Sequence, residues 1–198
     1  MTRSGVNLAG LIGSRICHDL ISPIGAITNG LELLEITGTV QGPEMELISD
    51  SVGSAGARIR FFRIAYGAPS DQPMGRTEVS GLLDDLNQNA RVKAWWQPVD
   101  PVPRTETRLA LLALQCCETA MPLGGNVTLS EAAGRWTITG TADKLSVDPA
   151  LWEALSNPAA LGQITPAQVQ FALLPAAAAD AGRRITVETS ETRVILQF

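Results

Sequence analysis

Histidine occurs once in the 198 residues, at His18. A single imidazole excludes metal sites built from several histidines and leaves one candidate for imidazole chemistry. Cysteine is scarce as well, with Cys17, Cys116 and Cys117 the only three. Their odd number, the adjacency of two of them and the lack of a CxxC motif argue against a disulfide framework or a zinc ribbon. A reducing cytoplasm is therefore the expected setting. Only two of the fifteen basic residues are lysine, Lys93 and Lys144. The net charge of −5 disfavours a phosphate backbone as partner, so no nucleic acid is expected. No apolar run nears the roughly 18 to 20 residues of a membrane span, so no membrane is expected either. The first twenty residues, MTRSGVNLAGLIGSRICHDL, carry an arginine in their middle and no separate apolar core, unlike a signal peptide. The length is ample for a buried core, in one large domain or two small ones.

Two long helical patterns come first. Leu8, Ile12, Ile16, Leu20, Ile24, Ile27, Leu31 and Leu34 recur at spacings of three and four, which predicts a helix over about 6–37 with one apolar stripe. Gly38 is a suitable stop. The next pattern begins after Pro43 and ends near Gly67, with Met45, Ile48, Val52, Ala55, Ile59, Phe62 and Tyr66 in heptad alternation. The short connection TGTVQGP predicts an antiparallel hairpin. A lone hairpin covers one side of each helix, so the expectation is a homodimer closing a four-helix bundle. The alternative is that the seam packs on the C-terminal half.

The stretch 67–76, GAPSDQPMGR, reads as a linker. It divides a hairpin at 1–68 from a mixed domain at 77–198. The mixed part predicts a helix over about 78–90, a strand at 91–96 and a helix over about 104–121. Leu109, Leu112, Cys116 and Ala120 share one face of that second helix. Strands follow at 126–131 and 135–141, joined by a loop with Gly134. A short helix after Asp148-Pro149 and a helix over about 166–181, with a kink expected at Pro175, precede a terminal hairpin. There Ile185, Val187 and Thr189, then Val194, Leu196 and Phe198, alternate as strands with one buried face.

The segment His18-Asp19-Leu20-Ile21-Ser22-Pro23-Ile24 carries the chemistry. At 100° per residue, Ile16 and Leu20 lie about 160° from His18 on either side, so the imidazole points away from the apolar stripe. Leu11, Ser14, Arg15, Ile21, Ser22, Gly25 and Asn29 share its face within about 60°. That strip is mostly small or polar and allows close approach by another protein. Imidazole is nucleophilic and largely neutral near pH 7, which suits phosphoryl carriage. Asp19 is placed to orient the ring or accept a proton. Pro23 lacks an N–H, so the Asp19 carbonyl loses its helical partner and a local kink is permitted. A solvated surface histidine is the plain alternative.

HDLISPI resembles the H-box of two-component histidine kinases, H-[DE]-L-x-x-P-[LI], matching at His18, Asp19, Leu20, Pro23 and Ile24. The order of elements after the hairpin is similar to the ATP-binding (Bergerat) domain of those kinases. Its nucleotide-site residues are missing. Where the kinases carry a Mg²⁺-coordinating Asn, the aligned position falls on Gln115 or Cys116. Gly140-Thr141-Ala142-Asp143 has no aspartate–glycine pair, and Ile164-Thr165-Pro166-Ala167 replaces a glycine-rich stretch. Without a hard oxygen ligand or glycines that admit phosphates, nucleotide binding has no visible basis. The chain thus resembles the ChpT-like histidine phosphotransferases of alphaproteobacteria. ISPIGAITNGLELLE and ARIRFFRIAYGA are similar to the two helices of that family.

The resemblance implies an α+β fold, a dimeric helical bundle plus an α/β sandwich like a degenerate Bergerat domain. It also implies a phosphorelay carrier in cell-cycle signalling. His18 would accept a phosphoryl group from the receiver domain of a hybrid kinase and pass it to that of a response regulator. Asp19 would be its helper. Arg15, Ser22, Gly25, Asn29 and Arg63 would form the docking track, with Pro23 structural. No cofactor or metal is expected on this chain, and Mg²⁺ would belong to the receiver. The rivals are a non-catalytic receiver-binding scaffold and a divergent ATP-dependent kinase.

Other candidates read more simply. Arg58 and Arg60 look like solvated helix charge, as do Asp84 and Asp85. Cys17 diverges from His18 by 100° on the helix, and Cys116-Cys117 read as core thiols. One of Trp95 and Trp96 belongs in the core. Ser22 lacks the partners of a hydrolase triad.

Overall fold

The computed structural model describes residues 8–37, 42–68, 70–88 and 90–198. Helices α1 (Leu8–Thr37) and α2 (Pro43–Ala65) pack along each other as a hairpin. The expected stop at Gly38, the connection over 38–41 and the first two residues assigned to α1 lie outside the described residues. Pro43 opens α2 at a position where a missing N–H costs nothing. Glu44 and Glu46 in its first turn and Arg63 in its last complement the helix dipole. At buried Gly30 the helices meet closely. A methyl group there would come within 2.5 Å of Ile48 Cγ1, so only glycine allows this approach.

The heptad seam of α2 divides in two. Its last turns bend into the rest of the protein, and Ala57, Phe61, Phe62, Ile64 and Ala65 are buried there. Phe62 stacks on Tyr66 with ring centroids 5.4 Å apart. The middle of the hairpin stays open, with Ile24, Val52 and Ile59 each 54% exposed and Leu31 52% exposed. Packing on the C-terminal half therefore takes the end of the seam and leaves the middle uncovered within one chain.

The C-terminal part contains β1 (Pro73–Met74), α3 (Arg76–Asn87), β2 (Val92–Trp96), β3 (Val102–Pro103) and α4 (Arg104–Ala120). It continues with β4 (Gly125–Ala132), β5 (Arg135–Thr141), α5 (Pro149–Ser156), α6 (Gln170–Asp180), β6 (Thr186–Thr189) and β7 (Arg193–Gln197). Five strands form one sheet in the order β2-β4-β5-β7-β6. β2 and β4 are parallel and the other pairs antiparallel. One face of the sheet carries Val92, Ala94, Trp96, Val127, Leu129, Trp136, Ile138, Val194, Leu196 and Phe198, all buried. α4 crosses that face, and the fold is α+β.

Three expectations change. The stretch 67–76 is tied down rather than free: β1 pairs antiparallel with β3, and Met74 is buried. Its carbonyls at Gln72 and Ser70 accept from the N–H groups of Arg104 and Thr105, satisfying two of the unpaired donors that begin α4. α4 is buried all round, continuously from Leu109 to Cys117, and not along one face. Sheet, α2 and α6 enclose it, which periodicity alone does not reveal. The helix expected from 166 begins as a 3₁₀ turn, Pro166–Gln168, with a Thr165–Gln168 capping box, and becomes α-helical at Gln170. The alternation expected over Ile185, Val187 and Thr189 is incomplete, since β6 begins at Thr186 and Thr189 is exposed, but other local signals hold. Asp148 caps α5 by accepting from the Ala150 and Leu151 N–H groups. The β4–β5 turn uses positive φ at Ala133 and Gly134. Gly140 in β5 faces α4, where a methyl group would lie 2.6 Å from Met121 Cε and 2.9 Å from Val194 Cγ2.

The open edge of β2 is closed by a side chain. Asn87, at the end of α3, donates from Nδ2 to the Ala94 carbonyl and accepts at Oδ1 from the Ala94 N–H, both at 2.8 Å. The amide thus stands in for a neighbouring strand. Asn87→Ala is expected to cost about 1–3 kcal/mol by orphaning both backbone groups of buried Ala94. Urea unfolding would read the loss, and amide exchange at Ala94 would speed up more than at Leu129.

Candidate functional site

The apolar stripe of α1 turns Leu8, Ile12, Ile16 and Leu20 toward the neighbouring elements, so the opposite face is solvent-exposed. His18 stands on that face with 85% of its side chain accessible. Ser14, Ile21, Ser22, Gly25 and Asn29 are exposed around it. Ile21 is 68% exposed. Pro23 is buried, and α1 runs through it without a break in helical assignment.

Asp19 links the histidine to the protein. Its Oδ1 lies 3.2 Å from His18 Nδ1, and its Oδ2 accepts from Arg15 Nε at 2.8 Å. Arg58 Nη1, from α2, is 4.0 Å from the same Oδ2. The Asp19 side chain is 11% exposed and Arg15 is 20% exposed, while His18 stays open to solvent. A proton on Nδ1 donates to Oδ1, and Nε2 then carries the lone pair toward solvent. Asp19 thus faces the imidazole with one oxygen and Arg15 and Arg58 with the other.

Arg15 also reaches out of the hairpin. Its Nη1 donates to the Ala167 carbonyl at 2.9 Å. Gln170 Nε2 donates to that same carbonyl and to Thr119 Oγ1 on α4. The network therefore runs from beside His18 into the C-terminal layer. A cavity of about 100 Å³ opens there, lined in part by Arg15, Asp19, Arg58, Phe62 and Glu118. Loss of hydration pushes the Glu118 carboxyl up to about 7, against the pull of Arg15 and Arg58 and with the push of Asp19. A carboxyl raised in the folded state stabilises the fold below its ordinary value of 4.5. That contribution is lost as pH rises through about 7.

Arg63 is not drawn into this group. Its side chain is exposed, and its carbonyl accepts from Arg104 Nη2 at 2.8 Å. Arg60 pairs with Asp85. Arg58, which the sequence presents as ordinary surface charge, is the arginine of α2 that meets Asp19. Finding it requires the register between two antiparallel helices, and no local pattern encodes that. Glu118 is hidden for a similar reason, sitting 99 positions from Asp19 in the chain.

Gln115 Oε1 accepts from Tyr66 OH at 3.1 Å. Cys116 and Cys117 are fully buried, and burial pushes both thiols up. Trp96 is in the core while Trp95 is 47% exposed. Among the described residues no helix is long and apolar enough to cross a membrane.

Known proteins resemble this chain along most of its length. The sequence profile of the "Histidine phosphotransferase C-terminal domain" family matches residues 76–193. Protein phosphotransferase ChpT of Brucella abortus (strain 2308) is 32% identical over 98% of this chain and 96% of the relative. A solved structure of a bacterial phosphotransferase superposes with a TM-score of 0.77 at 32% identity, covering 100% of this chain and 98% of that one.

Proposed function

The chain belongs to the histidine phosphotransferase family, and from that premise we propose that His18 is the phosphoryl carrier of a phosphorelay, working between receiver-domain aspartates. The observation that carries this reading is the exposed imidazole whose Nδ1 faces Asp19, leaving Nε2 free to attack. Nε2 displaces the aspartyl oxygen from phosphorus. A P–N bond forms, the P–O bond to the acyl group breaks, and the receiver aspartate leaves as carboxylate. Asp19 balances the positive charge that develops on the ring. The second transfer runs the same step in reverse, with a carboxylate of another receiver as nucleophile. Ser22, Gly25 and Asn29 form the docking strip along α1, Arg15 braces Asp19 beside it, and Arg63 touches the receiver from α2. Pro23 frees the Asp19 carbonyl from the helical ladder.

The partners are a hybrid-kinase receiver and a response-regulator receiver, each supplying its own Mg²⁺. The hairpin, residues 1–68, is the dimerising and phosphotransfer unit. The half-exposed Ile24, Leu31, Val52 and Ile59 support a second copy as the cover of its middle. Residues 77–198 form the Bergerat-like domain, without nucleotide. That part of the reading is supported by Gln115, whose oxygen is already engaged by Tyr66. It is supported as well by the absence of glycines at 164–167. Cell-cycle signalling in the cytoplasm follows from the likeness to ChpT-like proteins.

The test is a two-receiver relay. A phosphorylated hybrid-kinase receiver is mixed with the chain and a second receiver, and label is followed. The expected result is an acid-labile, base-stable phosphoryl group on the chain and onward transfer. Incubation with ATP and Mg²⁺ alone should label nothing. Receiver binding without a phosphorylated intermediate would favour a scaffold, and autophosphorylation at His18 would favour a kinase.

A further inference from the structure

α4 belongs to the C-terminal layer, yet one of its carboxyls shares a cavity with the arginines that hold Asp19. Asp19 on α1 has Arg15 at 2.8 Å and Arg58 at 4.0 Å. Glu118 faces the same two arginines across the cavity, without closing on either as a direct ion pair. Two carboxyls therefore draw on one pair of guanidinium groups. Like charges in so confined a space oppose each other's ionisation.

We propose that Glu118 is a positioning residue for chemistry at His18, competing with Asp19 for Arg15 and Arg58 so that its protonation sets how firmly Asp19 is held against the imidazole. With Glu118 neutral, both arginines serve Asp19, and Asp19 Oδ1 stays on Nδ1. With Glu118 ionised, the arginines are shared and the grip on Asp19 slackens. Arg15 also binds the Ala167 carbonyl, so the same contact couples the seating of the C-terminal layer to the histidine.

The groups facing Glu118 are few. α1 contributes Arg15 and Asp19, α2 contributes Arg58, and Tyr66 follows α2. Cys116 and Cys117 adjoin it on α4, with thiols that burial keeps protonated. Asp85 on α3 is engaged by Arg60. In this setting loss of hydration raises the Glu118 carboxyl to about 7.

The proposal rests on His18 as carrier, and the test separates the two. With one histidine in the chain, the ring ¹⁵N resonances are unambiguous and need no phosphoryl transfer to be read. In the wild-type protein their pH dependence should show two inflections, one from the ring and one near the Glu118 midpoint. Glu118→Gln should abolish the second, and Glu118→Asp should restore it. Arg58→Gln, a surface substitution that tolerates folding, should move it to higher pH. In the relay assay the ratio of Glu118→Gln to wild-type rates should change about threefold or more between about pH 6 and pH 8. Superimposable ring titrations for wild type, Glu118→Gln and Arg58→Gln would overturn the proposal. A normal pair of inflections with no labelling of His18 would instead overturn the carrier reading.

Discussion

A His18→Ala protein is expected to fold as the wild type does and to take up no phosphoryl group from a phosphorylated receiver. The expected loss is at least about 1,000-fold in transfer rate, equivalent to about 4 kcal/mol of transition-state stabilisation. The size follows from the lack of a substitute. Cys116 and Cys117 are fully buried and held as thiols. Cys17, the exposed cysteine, projects about 100° away around α1. Ser22 is exposed, but nothing in its contacts offers a base. Folding should be insensitive, because a side chain 85% accessible with one 3.2 Å contact contributes little to stability. A loss within about 0.5 kcal/mol is expected. Labelling and thermal unfolding measured together check both halves. Asp19→Asn should act differently. It keeps the shape but loses the charge that balances the imidazolium, so transfer should slow about 10- to 100-fold without vanishing. Equal labelling of wild type and His18→Ala would remove the imidazole from the mechanism.

Charging the open middle of the hairpin should split the dimer. Ile24 and Leu31 lie one heptad apart on α1, and Val52 and Ile59 one heptad apart on α2. Each remains about half exposed in a single chain. Covering the exposed half of such a side chain is worth about 1 kcal/mol. Twofold pairing brings eight of them together, for a gross gain near 8 kcal/mol before association costs. Val52→Glu enters such an interface twice. Each copy loses the apolar gain and brings a carboxylate to be desolvated. A loss of about 4 kcal/mol or more, about 1,000-fold in dimer Kd, is expected. Sedimentation equilibrium should show a wild-type dimer and a Val52→Glu monomer at the same concentration. The monomer should keep its sheet and its buried α4, which do not involve the open middle of the seam. A wild-type chain that sediments as a monomer at high micromolar concentration would refute the bundle.

The two helices differ in how far the sequence speaks for them. Along α1, apolar residues at spacings of three and four mark the covered face, and the position of His18 opposite them follows from 100° per residue. Along α2 the same reasoning holds for the period but does not name the partner. The heptad residues Phe62 and Tyr66 pack toward α4, while Val52 and Ile59 stay open. Periodicity states which face is apolar and says nothing of what lies across it. The segment at 67–76 shows the same limit: its prolines and glycines suit a linker, yet its carbonyls are what begin α4. Asn87 at the edge of β2 has no sequence signature at all, because its partner Ala94 is defined by where α3 ends in space.

The scarcity of histidine points at once to a single centre, and the residues around His18 locate it on an exposed helical face beside a carboxylate. Those features are local, set by the helical repeat over a few turns. The tertiary structure decides what surrounds that centre. Arg58 reaches Asp19 only through the register of α1 against α2, and Glu118 shares a cavity with the same arginines only because α4 is packed beneath the hairpin. Electrostatic contacts depend on distances between segments far apart in the chain. The position of the lone imidazole on its exposed face is thus written in the sequence, while the charge environment around Asp19 is made by folding.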